Sequence, residues 1–120
     1  MEIEGKVWGE TSTIFDKNNV IVNRISGKSG KRCSKHKHDH KFNMFFVEKG
    51  HLRVRVWKSD YDLVDVTELK AQQSTVVKPG EFHRFEVLED DTVAFEIYWT
   101  ELDPSDIIRE GHGGDTESDD

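Results

Sequence analysis

The chain has 120 residues, 34% apolar, 10% aromatic and 34% charged, a composition that suits one domain with one modest core. Its longest unbroken apolar run, Met44 to Val47, is far too short to span a bilayer. The formal charge of −7 belongs to one end: of 24 acids and 17 bases, residues 101–120 hold eight acids and one base, Arg109. The first hundred residues are therefore balanced, which argues against a nucleic-acid binder.

Met1-Glu2-Ile3-Glu4 has neither a basic region nor an apolar one, so no secretory leader is expected. The lone Cys33 can form no internal disulfide, which agrees with a reducing compartment, and a cytoplasmic location is the expectation. Near the start, Val7, Trp8, Ile14 and Phe15 are apolar residues able to cover an edge strand. After the turn Asp16-Lys-Asn-Asn19, the run Asn19 to Ser26 reads as a strand, closed by Gly27-Lys-Ser-Gly30. Phe42 to Glu48 follows, then the Lys49-Gly50 turn. Leu52, Val54 and Val56 next alternate with Arg53, Arg55 and Trp57, the period of a half-buried strand.

Beyond Lys58-Ser-Asp60 come strand-like runs at Tyr61 to Val66, Ser74 to Val77 and Phe82 to Val87, the last two divided by Pro79-Gly80. After Glu89-Asp-Asp91, Val93, Phe95, Ile97 and Trp99 alternate with Ala94, Glu96 and Tyr98, which assigns the first set to the core face. Only Asp103-Pro-Ser-Asp-Ile-Ile-Arg109 has helical signals, with Asp103 as N-cap and Pro104 at the first position. The pattern predicts an all-β sandwich or barrel with at least eight strands and almost no helix before residue 103. Residues 1–110 are expected to form the single domain, and 111–120 a disordered acidic tail.

Three of the six histidines lie in His36-Lys-His-Asp-His40. On an extended strand all three share a face and can converge on a metal; a basic, solvated strand fits the triplet equally well. His83 opens the strand after Pro79-Gly80 and, taken alone, reads as structural. A barrel would bring it beside the first pair, because metal sites assemble in space and not in sequence.

Together these residues resemble the cupin family. Its first motif is Gly, five residues, His-x-His, three or four residues, Glu, six residues, Gly. Here Gly30 is followed after five residues by His36-x-His38, after four more by Asn43, and after six more by Gly50. Pro79-Gly80-x-x-His83-Arg84 fills the place of the second motif, with Gln73 and Val87 where Gly and Asn are usual. Lys6-Val-Trp-Gly9, Pro79 to Arg84 and Leu102 to Arg109 further resemble the C-terminal cupin of bifunctional mannose-6-phosphate isomerase/mannose-1-phosphate guanylyltransferase enzymes, without the nucleotidyltransferase half.

The resemblance implies a small antiparallel jelly-roll β-barrel, dimeric as small cupins tend to be, holding one divalent ion (Zn, Fe, Mn or Ni) with His36, His38, His83 and the residue at position 43. Asn43 offers a neutral carbonyl oxygen where the family supplies a carboxylate. The site would then carry about two positive charges instead of about one, and should favour anions such as a sugar phosphate. His40, and less so Glu48, are candidates to replace the missing ligand. Lys28, Lys31, Arg32, Lys35, Lys37 and Lys41 crowd the first motif and Arg84 follows His83; most of these lysines are expected to face away from the metal. Cys33 reads as a buried inert thiol. Trp8, Trp57 and Trp99 read as packing residues before pocket walls. Three functions remain open: a sugar-phosphate isomerase, a three-histidine iron oxygenase, and a non-catalytic cupin that binds a sugar or anion, with no nucleic-acid or membrane partner.

Overall fold

In the computed structural model, the structure describes residues 2–58, 63–101 and 105–116. Nine strands run in chain order: β1 Ile3–Lys6, β2 Gly9–Lys17, β3 Val20–Gly27, β4 Phe42–Lys49, β5 His51–Trp57, β6 Val64–Lys70, β7 Ser74–Val77, β8 Phe82–Val87 and β9 Thr92–Trp99. They form a six-stranded sheet, β1-β2-β3-β9-β4-β7, and a three-stranded sheet, β6-β5-β8, every pairing antiparallel. This is the expected jelly-roll architecture. The described residues contain no helix. The expected strand at Tyr61 to Val66 is found from Val64 onward, while Tyr61 and Asp62 lie outside the described residues.

The core lies between the sheets, and the register sorts it into layers. Directly opposed residues in an antiparallel pair share a face. In the six-stranded sheet Val47 opposes Ala94, Phe45 opposes Glu96 and Asn43 opposes Tyr98. In the smaller sheet Leu52 opposes Val87, Val54 opposes Phe85 and Val56 opposes His83. The deepest layer is wholly apolar, the middle one packs Phe45 against Phe85, and the third holds Asn43 and His83. The chain thus reserves one end of the barrel for polar groups.

This register corrects the expectation for β9. Ala94 and Glu96 are buried, whereas of the expected set only Val93, at the start of the strand, is buried, and Phe95, Ile97 and Trp99 are half-buried on the outer side. Residues of both parities are apolar on this strand, so periodicity alone chose the wrong face. Gly50 has a local reason. Its φ is +95°, and an added Cβ would lie 2.7 Å from Thr92 Cα, so the β4–β5 turn accepts only glycine without strain.

The predicted C-terminal helical turn is also corrected. Asp103 and Pro104 lie outside the described residues, and Ser105–Arg109 show a turn at Ser105, with the Ile107 N–H donating to the Ser105 carbonyl at 2.8 Å, and no helix. So short a segment cannot repay helix nucleation unless it packs an apolar face, and Ile107 and Ile108 are exposed. No helix among the described residues is long and apolar enough to cross a membrane.

Candidate metal centre

The segment after Gly30 runs antiparallel beside β8. The Cys33 N–H donates to the Phe85 carbonyl at 3.2 Å, the Val87 N–H to Lys31 at 2.8 Å, and His36 and His83 exchange both backbone hydrogen bonds at 3.0 and 2.8 Å. That direct opposition puts the two imidazoles on one face, their centroids 4.6 Å apart. His38, two residues on, is pinned through its carbonyl by the Gly80 N–H at 2.8 Å, in a turn that Gly80 permits with φ +83°. Its ring lies 5.1 Å from that of His36 and 5.5 Å from that of His83. One candidate ligand atom from each of the three lies within 4.8 Å of the others.

The nitrogen roles follow from the partners. His36 Nδ1 is 2.8 Å from the Ser34 carbonyl and His83 Nδ1 is 3.0 Å from the Glu81 carbonyl. A carbonyl only accepts, so both Nδ1 atoms carry the proton and both Nε2 atoms keep a lone pair. Asn43, 1% exposed, extends from β4 with its Nδ2 3.3 Å from His83 Nε2 and donates to it. His38 Nε2 and Asn43 Oδ1 are buried without any hydrogen-bond partner. Two buried polar atoms without partners are costly in an apolar barrel, and a cation would satisfy both, His38 binding through Nε2 with its proton on Nδ1. The donor set fits a divalent ion, and the three-histidine group is compatible with metal binding.

Electrostatics keep the imidazoles ready. Burial first, then the neighbouring His36 and His83, pushes His38 down to about 4. Burial likewise lowers His83. Both are neutral near pH 7, the form that binds metal.

His40 and Glu48 do not join the group. His40 is exposed, and Glu48 lies exposed beyond Val47, toward the opposite end of the barrel. Lys35 stands 4.2 Å over the Trp57 ring and Lys37 5.3 Å over Phe82, outside the smaller sheet. Lys41 is the exception, 5.9 Å over the Tyr98 ring and close enough to help lower His38. Trp8 packs in the core against Phe85 at 4.8 Å, while Trp99 stacks on Phe42 at 5.5 Å. Burial pushes the Cys33 thiol up to about 12, in keeping with an inert role. A cavity of about 350 Å³ opens at the far end of the barrel, lined by Gly5, Gly9, Glu10, Ser26, Gly27, Lys28 and Asp91, away from the histidines.

Arg84 does not face the centre either. It joins Arg53 and Arg55 around the Glu86 carboxylate, with Nε–Oε1 distances of 2.6 Å from Arg53 and 2.9 Å from Arg55, and Arg84 Nη2 at 2.9 Å from Oε2. Burial alone would raise the Glu86 carboxyl; the guanidiniums instead hold it at about 2. A carboxyl lowered by folding contributes stability above its ordinary value of 4.5 and loses it as pH falls toward 2. Glu86→Gln should therefore cost about 2 kcal/mol at neutral pH and flatten the acid limb of the stability curve between those values, as measured by urea titrations at several pH values.

Sequence reasoning missed two residues at this end, Glu96 and Tyr98. Tyr98 sets its ring 5.1 Å from that of His38, donates its hydroxyl to Glu96 Oε2, and senses the Asn43 amide. Burial, then the Glu96 charge, raises the Tyr98 phenol above its ordinary range; burial raises the Glu96 carboxyl too. A lone acid between apolar residues of both parities was the available signal.

No family model matches the chain, and no curated protein matches it in sequence. Solved structures do. KdgF from Halomonas sp. superposes with a TM-score of 0.72 at 12% identity, over 85% of this chain and 90% of that one. CapF, a capsular polysaccharide assembling protein of Staphylococcus aureus, gives 0.75 at 18% identity, over 88% of this chain and 30% of CapF. Oxalate decarboxylase from Lactobacillus farciminis, in its formate complex, gives 0.72 at 16%, over 84% and 31%. These are cupin-fold proteins, and the chain has the cupin fold, with a three-histidine centre at one end of its barrel. It spans nine-tenths of KdgF and under a third of the other two. The finer likeness to the mannose-6-phosphate isomerase cupin is not carried by these comparisons.

Proposed function

We propose that this protein is a metal-dependent cupin in which His36, His38 and His83 hold one divalent ion through Nε2, Asn43 gives up its hydrogen bond to His83 Nε2 and turns its amide oxygen to the ion, and a small oxygen-rich anion binds there. The carrying observation is the pair of buried, unpartnered polar atoms, His38 Nε2 and Asn43 Oδ1, beside two imidazoles whose Nδ1 protons are already committed. Among the structural neighbours, oxalate decarboxylase of Bacillus subtilis has Mn(II) centres, and CapF assembles a capsular polysaccharide, which supports a metal and a carbohydrate-derived or carboxylate ligand. Bound there, the ion would act as a Lewis acid on a ligand carbonyl or hydroxyl. Tyr98 lies against the ring of His38, Lys41 stands over the ring of Tyr98, and the two would orient that ligand. A sugar-phosphate isomerase is the catalytic form of this reading. Elemental analysis of protein purified without added metal, followed by a thermal-shift screen of hexose phosphates and small carboxylates, tests it: absence of any metal-dependent ligand response would reject the proposal. Iron with oxygen consumption would instead place the chain among three-histidine oxygenases.

We also infer a homodimer of the unit 1–110. Support comes from the outer face of the six-stranded sheet, where Phe42, Met44 and Phe46 on β4 oppose Trp99, Ile97 and Phe95 on β9. So broad an apolar face on a soluble domain marks an interface. Of the N-terminal residues expected to cover an edge, Trp8 is buried while Val7, Ile14 and Phe15 are exposed. Sedimentation should give twice the chain mass, and Ile97→Glu should give a monomer; a parent that sediments as a monomer would reject the dimer.

A further inference from the structure

The centre departs from its family by lacking a carboxylate at position 43, yet the same end of the barrel holds one that the family pattern does not place. Glu96 on β9 is 8% exposed and directly opposes Phe45, one layer beneath the pairing of Asn43 with Tyr98. Its hydrogen bond comes from the Tyr98 hydroxyl. None of the ion pairs among the described residues includes Glu96. His36 and Lys6 act on it electrostatically without pairing with it, and Lys6 pairs instead with Glu4 at 3.1 Å. An acid so deeply buried is costly in its charged form unless a positive charge compensates it.

The two irregularities complete each other. Three neutral imidazoles and a neutral amide surround a place fit for a dication and leave its charge uncompensated. Close below them lies a buried carboxyl that burial biases toward its neutral form and that a cation bound above it would favour in its charged form. The link between them is continuous: Glu96 accepts from Tyr98, Tyr98 lies against His38 and senses the Asn43 amide, and Asn43 donates to His83.

We propose that Glu96 supplies, through Tyr98, the negative charge that this metal centre lacks at position 43, so that the missing ligand's charge has moved to the neighbouring strand. The inference rests on the three-histidine reading above. It also revises the expected charge of the loaded centre from about +2 to about +1, which makes neutral or singly charged sugars as suitable as phosphates. Glu96 touches no ligand nitrogen and acts as a charge-compensating, positioning residue, as outer partners of metal ligands do.

Glu96→Gln tests this, because the amide keeps an oxygen for the Tyr98 hydroxyl and removes only the charge. Titration of metal-free protein with Zn²⁺ or Mn²⁺ should show affinity weakened about 10- to 100-fold, while the melting temperature of the metal-free variant equals or exceeds that of the parent. Adding Asn43→Glu to Glu96→Gln should restore the affinity by returning the charge to its usual place. Unchanged affinity in Glu96→Gln would overturn the proposal. So would an affinity weakened in Glu96→Gln and not restored by Asn43→Glu, together with a lower metal-free melting temperature of Glu96→Gln, since that pattern marks a packing role. A parent that binds no metal, and so matches His38→Ala/His83→Ala, would instead overturn the three-histidine reading on which this one stands.

Discussion

Metal-free protein should melt about 10 °C higher in the presence of Zn²⁺, Ni²⁺ or Mn²⁺ at a hundredfold excess over the dissociation constant, and the double substitution His38→Ala/His83→Ala should abolish the rise. The magnitude comes from linkage: a ligand that binds only the folded state at that excess contributes about 2.7 kcal/mol, worth roughly 10 °C for a domain of this size. The double variant removes the ring with the orphaned Nε2 and the most deeply buried histidine, His83, at 1% exposure. It will itself be less stable, because deleting a buried imidazole leaves a cavity, so the quantity to read is the metal-induced difference. Differential scanning calorimetry of both proteins with and without metal measures it. A rise that survives in the variant would place the metal elsewhere.

The strands with clean alternation or tight turns were legible. Leu52, Val54 and Val56 are the inner set of β5, and Ser74–Val77 and Phe82–Val87 have the expected bounds. The N-terminal hairpin of β1 and β2 was not, because strands whose residues are mostly exposed leave no hydrophobic period to detect. At the centre, His36 and His38 were readable from local spacing, and His83 only through its likeness to a second motif. Their meeting depends on the ribbon from Gly30 to His36 pairing with β8, a long-range register that composition does not encode. Glu96 was hidden by the same limit. Its burial follows from the pairing of β9 with β4, which turns Ala94, Glu96 and Tyr98 inward beside Val47, Phe45 and Asn43. An apolar outer face allowed the opposite assignment until the register was known.

Asn43→Glu should move metal-free stability and metal affinity in opposite directions. In the parent, the Asn43 amide donates to His83 Nε2 and lies 1% exposed among neutral groups. A carboxylate at that position loses the donated hydrogen bond and brings a second acid to the end of the barrel that already buries Glu96. With no cation present, burial of an unpaired acid costs several kcal/mol, or forces the group to take up a proton. The metal-free variant should accordingly unfold about 2 to 4 kcal/mol more easily than the parent. With a divalent ion present the sign reverses, since a carboxylate oxygen is a stronger ligand than an amide oxygen and adds a favourable charge interaction. Metal affinity should rise by a factor of ten or more, which corresponds to about 1.4 kcal/mol per tenfold, and a phosphate or carboxylate ligand should bind the loaded variant more weakly because the net positive charge has fallen. Urea titration of the metal-free proteins and calorimetric titration with metal, then with phosphate, separate the three effects. If the variant is destabilised without metal and binds metal no better than the parent, position 43 does not coordinate. The inference from motif spacing to a working centre would then rest on the histidines alone.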